Sequence, residues 1–155
     1  MTDDVPADRQ IVVSRLFDPP RERVFAAWAE PRHIQAWWGP DGFTNTISSM
    51  ELRPGGVWRF VMHGPDGTDY PNRIVFTEVT RPARLVYEHG DDKEPFEASF
   101  HAIVTFDDEH GKTRLTLRLV FDSAAACDRV KAFGAEDGGR QTLARLDRYL
   151  STANL

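Results

Sequence analysis

The sequence has 155 residues and a mass of 17.6 kDa, enough for one domain whose hydrophobic core needs neither disulfides nor a structural metal. Apolar residues make up 41% and charged residues 28%, which excludes a wholly disordered, collagen-like or coiled-coil protein. The net charge is -5 and Lys and Arg do not cluster, so no nucleic-acid partner is expected.

The amino-terminal residues and the cysteine content predict a cytoplasmic protein. The opening MTDDVPADRQ is acidic and polar, and it lacks the basic and apolar regions of a secretion signal. No segment reaches the roughly 18 apolar residues of a membrane span, so no membrane association is expected. The single cysteine, Cys127, has no partner for an internal disulfide and no Cys/His ligand spacing around it, so no metal is expected. Residues 1–9 are predicted to be a short flexible N-terminus and residues 10–152 a single domain.

The first elements along the chain are predicted to be one strand and two short helices. Residues 11–17 are rich in Val and Ile, which favours a strand, and Asp18-Pro19-Pro20 ends it. Apolar residues between Val24 and Trp28 recur at helical spacing. A second short helix carries Trp37 and Trp38 and ends at Gly39-Pro40, with Gly just past the last turn.

The middle of the chain is predicted to be a meander of short strands separated by Gly, Pro and Asp turns. The six strands span about residues 44–52, 57–63, 70–80, 84–89, 97–107 and 112–121. Apolar and polar residues alternate, as Leu115, Leu117 and Leu119 do with the residues between them, so one sheet face is apolar. The opposite face carries four apolar residues that could pack against a second copy in a homodimer or stand as isolated surface residues: Val61, Val86, Ile103 and Val120.

The last segment is predicted to be helical, in two pieces of which the second is longer. Helix breaks are predicted at Gly134 and at the Gly138-Gly139 pair, because Gly costs a helix roughly 1 kcal/mol relative to Ala. Helices segregated from hairpin-connected strands make an α+β fold. A sheet of about seven strands is roughly 34 Å wide. One helix is only about 10 Å across, so the sheet must curve around it and leave a space at one end.

Bulky side chains are the candidates for lining that space. The candidate ligand-binding residues are Trp37, Trp38, Trp58, Phe60, Met62, Tyr87, His89, Phe100 and Phe133. The alternative is that these aromatic side chains simply fill a solid core, and the sequence leaves both interpretations open.

Four motifs resemble the stand-alone relatives of the C-terminal domain of the heat-shock chaperone ATPase activator, in the START-like or SRPBCC superfamily. They are the segments 37–40, 55–67, 82–87 and 141–146, in that order. The resemblance covers about residues 10–152 and implies a helix-grip fold, with a cavity between the sheet and a long C-terminal helix. It also implies a superfamily that binds lipids, polyketides, sterols and similar apolar molecules. Relatives commonly carry Trp where this chain has Gly139, which implies a more open wall or a more mobile helix here.

The leading functional hypothesis is therefore the binding of a small apolar or aromatic molecule in this cavity. One alternative is a cyclase, dehydratase or hydrolase that uses the same cavity, and the other is a protein-interaction module like the chaperone activator. The activators that the sequence resembles use a further N-terminal domain, whereas about ten residues precede the first strand here, so a chaperone partner is not favoured.

The polar residues give no recognisable catalytic set, and none is assigned. Of the five histidines only His89 is in phase with the apolar face, while Glu78 is a candidate acid for which a salt bridge is the favoured interpretation. Arg59, Arg73 and Arg118 could pair with an acidic group on a ligand. Glycines at residues 55 and 56 join two strands with no Gly-Lys-Ser/Thr after them, so no nucleotide or other cofactor is expected.

Overall fold

Seven antiparallel strands form one curved open sheet in the computed structural model, which describes residues 6–152. The strands are β1 (Gln10–Phe17), β2 (Thr44–Met50), β3 (Val57–His63), β4 (Asp69–Thr80), β5 (Arg84–Asp91), β6 (Ala98–Glu109) and β7 (Lys112–Val120). Their order across the sheet is β1-β7-β6-β5-β4-β3-β2, so β1 and β2 are the two edges. The predicted α+β helix-grip architecture is confirmed.

Four helices accompany the sheet, and they follow the predicted order. They are α1 (Arg21–Ala29), α2 (Pro31–Trp37), α3 (Ala124–Ala132) and α4 (Ala135–Thr152). Ser123 caps α3 by accepting a hydrogen bond from the Ala126 N–H at 3.1 Å. Helix α2 ends before Gly39, whose φ of +96° reverses the chain as the Gly-Pro sequence predicts. Among residues 6–152, no helix is long and apolar enough to cross a membrane.

The predicted N-terminal segment, residues 1–9, is described only from residue 6 onward. Residues 1–5 of the predicted flexible N-terminus lie outside the described residues. Ala7–Arg9 form a short 3-10 turn, and the Phe121 N–H donates to the Arg9 carbonyl at 2.8 Å. This backbone hydrogen bond holds the turn beside the start of α3.

The predicted helix break at Gly138-Gly139 is wrong, whereas the break at Gly134 is correct. Gly134 has φ of +82° between α3 and α4, and the Gly138 N–H donates to its carbonyl at 2.9 Å. Both later glycines lie inside α4. A Cβ on Gly139 would lie 3.1 Å from Cγ2 of Val13, so the missing side chain lets α4 approach β1 closely. Tertiary packing therefore overrides the weak helix propensity of the pair.

The apolar sheet face and α4 enclose the main core, as the alternation predicts. Leu143, Leu146 and Leu150 of α4 are buried against it, together with the apolar face of α1. On the opposite sheet face Val86, Ile103 and Val120 form a second small cluster and are at most 5% exposed. They are neither isolated nor accessible, so these three fit neither of the two predicted alternatives and do not present an open apolar surface to a second copy.

Candidate functional site

A cavity of about 250 Å³ lies between the concave sheet face and the first turns of α4, and we call it the inner cavity. Its sheet side is formed by Met62, Tyr87, His89, Phe100, Leu117 and Leu119. Its helix side is formed by small residues, Gly134, Ala135, Gly138, Gly139 and Thr142. Phe133 stands at its mouth with 91% of its surface exposed. The cavity is thus apolar, and it exists because α4 has almost no side-chain volume at this end.

Six of the nine predicted ligand-binding residues lie on this wall. They are Trp38, Met62, Tyr87, His89, Phe100 and Phe133. The structure does not place Trp37, Trp58 or Phe60 on the wall. Each of these three is at most 2% exposed and is packed into the core.

The aromatic cluster beside the cavity explains why those three residues are withdrawn from it. Trp37 is the last residue of α2 and Trp38 follows it, and their ring centroids lie 5.8 Å apart. Trp38 contacts Trp58 edge-on at 5.0 Å, and Trp58 stacks on Phe60 at 4.2 Å. These are favourable aromatic geometries. These aromatic side chains therefore fill their part of the space between sheet and helices, as the solid-core alternative predicted. The inner cavity occupies the remaining part.

His89 and Tyr87 are the polar side chains on the sheet side of the inner cavity. Its Nε2 lies 2.8 Å from Oδ1 of Asn72, and since an amide oxygen only accepts, Nε2 donates the hydrogen bond. The His89 ring centroid lies 5.0 Å from that of Phe100 and 6.5 Å from that of Tyr87. Burial lowers the pKa of His89 to about 4 and raises the pKa of Tyr87 above its ordinary value. Both groups are therefore neutral at physiological pH.

Replacing His89 with Gln is expected to reduce the loss of stability on acidification. The pKa of His89 is about 4 in the fold and 6.5 as a free side chain, so the unfolded chain binds more protons between these values. The imidazole therefore costs no stability above pH 6.5 and costs increasingly more below it. Urea unfolding measures the free energy of unfolding at about pH 7.5 and about pH 4.5. The drop between these two values should be smaller in His89→Gln than in wild type by roughly 2 kcal/mol.

The measurement at neutral pH controls for lost packing in this variant, because wild-type His89 is uncharged there. His33 remains in both proteins, and burial lowers its pKa as well, so a residual slope is expected. An acid loss of the same size in both proteins would contradict a buried, neutral His89.

A second, larger depression adjoins the inner cavity, and we call it the outer groove. It has a volume of about 570 Å³ and shares Pro40 and Met62 with the inner cavity. The remaining wall is formed by Phe43, Asp69, Tyr70, Pro71, Asn72, Asp91 and Asp92. The groove therefore combines an exposed aromatic ring, Tyr70, and a half-buried one, Phe43, with three carboxylates, whereas the inner cavity carries no ionised group.

Arg145 of α4, which is not among the predicted site residues, holds the loop after α2 against the helix. Its Nη1 donates to the carbonyls of Trp38, Gly39 and Pro40 at 3.2, 2.9 and 2.8 Å. Its Nη2 donates to the carbonyl of Phe43 at 2.9 Å. Pro40 lies on the walls of both the inner cavity and the outer groove, so this contact sets their shape. Every residue has a carbonyl, so the sequence carries no signal for such a partner set.

The other polar candidates serve structural contacts. Glu78 pairs with Nε of Arg84 at 3.3 Å, as favoured, and it does not line the inner cavity. Arg73 is 8% exposed and pairs with Asp92 and Glu94, both at 2.8 Å. The hydrogen bond to Asp92 is the main reason that the pKa of Arg73 is raised. Arg73 is thus already occupied by carboxylates of the chain and not free for an acidic ligand.

Residues 18–151 match the model of the family described as activator of Hsp90 ATPase homolog 1-like protein. A search of curated proteins finds no significant match. Among solved structures, a protein from Arthrobacter aurescens is 28% identical with a TM-score of 0.86, covering 94% of this chain and 88% of its own. A protein from Mycobacterium smegmatis is 27% identical with a TM-score of 0.82, covering 96% and 94%. The AHSA1 protein from Silicibacter pomeroyi, 22% identical with a TM-score of 0.73 over 92% and 97%, shares the fold.

Proposed function

The chain belongs to the activator of Hsp90 ATPase homolog 1-like family, and we propose that it acts as a binding module for a small apolar or aromatic molecule held in the inner cavity. The observation that carries the proposal is the composition of the helix-side wall. Four Gly or Ala residues and Thr142 face aromatic and aliphatic side chains of the sheet, which leaves a space bounded by apolar groups. Sites that bind small molecules are usually apolar pockets with only a few polar groups.

The volume of the inner cavity limits the size of the ligand. An apolar cavity of about 150 Å³ accommodates one benzene ring. At about 250 Å³ the inner cavity therefore fits one or two fused rings, or an alkyl chain of similar volume, and not a sterol. A further ring on the ligand would lie outside it, at the mouth beside the exposed Phe133. The ligand's polar contacts inside would be with the His89 imidazole, which is neutral and partly buried beside Phe100, and with the Tyr87 hydroxyl.

Filling the inner cavity from the helix side is the experiment that tests this function. A Cβ on Gly138 would meet only Cγ of Pro40, at 3.6 Å, so the first carbon of a side chain can be added here in ordinary van der Waals contact. We expect wild type to enhance the fluorescence of N-phenylnaphthylamine saturably and Gly138→Phe to weaken its binding by about tenfold or more, a loss of about 1.4 kcal/mol.

Gly138→Ala is the matched control for that experiment, because it adds only one carbon to the same wall position. It should bind the dye within about threefold of wild type, since most of the cavity remains. Thermal unfolding of both variants verifies that the fold is kept. Equal dye affinity in wild type and a folded Gly138→Phe protein would show that the inner cavity is not the binding site.

The two helix glycines are also expected to respond differently to Ala in urea unfolding. Gly138→Ala should raise the free energy of unfolding by about 0.5 to 1 kcal/mol, because it restricts the unfolded chain and favours the helix. At Gly139 the new Cβ would lie 3.1 Å from Cγ2 of Val13, so β1 must yield and the gain is offset. Equal stabilisation by the two changes would contradict the close approach of α4 to β1.

A further inference from the structure

The carboxylates of the outer groove differ in how far the chain neutralises them. Asp92 pairs with Arg73 at 2.8 Å and with Nε of Arg59 at 3.5 Å. Asp69 accepts from Nδ1 of His63 at 2.7 Å. Among the described residues, Asp91 is exposed and has no Lys, Arg or His within the 4 Å of an ion pair. The groove therefore retains negative charge, and no cationic side chain lines it.

Two aromatic rings stand beside these carboxylates. The Phe43 and Tyr70 ring centroids lie 6.0 Å apart with their planes tilted by 44°. Tyr70 is 44% exposed, so its ring is available to a bound group. Aromatic faces and carboxylates both attract an organic cation, and together they form the usual recognition surface for an ammonium group. An anion would be repelled, and a neutral apolar group would leave Asp91 without a charged partner.

The outer groove is continuous in structure with the inner cavity. Pro40 and Met62 lie on both walls, and Asn72 of the groove is hydrogen-bonded to His89 of the cavity. Met62 is partly buried and unbranched with three rotatable bonds, so its side chain can move aside for a ligand that spans the two. His89 is neutral and does not repel a cation next to it.

We propose that the outer groove binds the ammonium group of an amphipathic ligand, quaternary or protonated, whose apolar part occupies the inner cavity. This proposal rests on the proposed function, since it places the apolar part in the same cavity. It also restricts the ligand class: cationic amphiphiles with one or two rings or a short alkyl chain bind better than neutral or acidic molecules of equal size.

Calorimetric titration with a matched pair of probes tests this charge preference. The probes are phenylpropyltrimethylammonium and its neutral isostere, in which tert-butyl replaces trimethylammonium. Wild type should bind the cation about tenfold more tightly than the isostere, from the added aromatic and carboxylate contacts. Asp91→Asn and Tyr70→Leu should each reduce this preference to about threefold or less, because each weakens the binding of the cation more than that of the isostere.

Asp107→Asn is the control variant, because it removes the same charge from an exposed position of β6 outside the groove. It should keep the tenfold preference. Equal affinity for the two probes in wild type, or an equal effect of Asp107→Asn and Asp91→Asn, would overturn the proposal. If the cation shows no preference but the isostere and N-phenylnaphthylamine still bind, and Gly138→Phe blocks both, then the proposed function stands and only the ammonium site is overturned. If Gly138→Phe leaves the affinity of the cation unchanged, the apolar part is not in the inner cavity and the proposal also fails.

Discussion

Replacing Arg145 with Met is expected to lower the free energy of unfolding by about 3 kcal/mol. The guanidinium donates to four backbone carbonyls of the segment 38–43, and Met cannot donate to any of them. Hydrogen bonds from a charged group contribute about 1.5 to 3 kcal/mol each, but those from one side chain do not add, so the sum is smaller than four such bonds. Urea unfolding at neutral pH measures the loss.

Arg148→Met is the matched control, because this residue lies one helical turn away and is 66% exposed. Its only ion pair with a described residue is with Asp41 at 3.5 Å, so the change should cost less than about 0.5 kcal/mol. Arg145→Lys keeps the charge but not the planar fork and should fall between the two. Similar losses for Arg145→Met and Arg148→Met would show that the carbonyl contacts contribute little.

The Arg145→Met change should also weaken ligand binding in the inner cavity. Gly39 and Pro40 line the inner cavity, and both lose their donor in this variant. We therefore expect the folded variant to bind N-phenylnaphthylamine more weakly by about threefold or more, since its wall is less well ordered. Unchanged dye affinity would mean that the loop keeps its position without Arg145.

Gly56→Ala is expected to destabilise the fold by about 3 kcal/mol or more, at the upper end for a single substitution. A Cβ here would overlap the carbonyl oxygen of Glu51 and lie 2.9 Å from that of Arg53. These are backbone atoms, and the Gly56 N–H donates to the Arg53 carbonyl at 2.8 Å, so the turn must open. Strand β3 begins at the next residue, so the opening would displace Trp58 in the aromatic cluster.

Gly55→Ala separates this overlap from ordinary backbone strain at the neighbouring residue. Gly55 has φ of +81°, which costs a side chain about 1 to 2 kcal/mol, and nothing lies within 4 Å of its added Cβ. Urea unfolding should therefore rank wild type above Gly55→Ala and Gly55→Ala above Gly56→Ala. If Gly56→Ala does not accumulate as soluble protein while Gly55→Ala does, the ranking still holds. A Gly56→Ala protein as stable as Gly55→Ala would contradict it.

Local sequence patterns predicted the fold closely because they report which side of each element is buried. The alternation in β3 and β7 placed Trp58 and Leu117 on the concave face, and the structure buries both. Strand β3 was predicted with its observed bounds, and the other strand ends differ from prediction by two residues or fewer. The same phase argument directed His89 toward the cavity, where the structure places it.

The candidate site was predicted only in part, because alternation assigns a face and not a position along it. Trp58 and Phe60 have the same phase as Met62, yet only Met62 reaches the inner cavity. Trp37 and Trp38 are adjacent, but Trp37 turns inward and donates from Nε1 to the Ala27 carbonyl at 3.2 Å. Which aromatic side chain lines the space depends on where α2 crosses the sheet, and that is a contact between distant segments.

The sequence by itself determined the order of elements, the buried face of each strand and the family resemblance, since these depend on spacing, turn residues and short motifs. Only the tertiary structure decided that Gly139 lies within α4 and brings it onto Val13, that Arg145 binds the loop carbonyls, and that the outer groove adjoins the inner cavity. Each of these joins residues far apart in the chain through backbone atoms or empty space. Backbone contacts and empty space leave no pattern in the amino-acid sequence, so these three features cannot be inferred before the chain is folded.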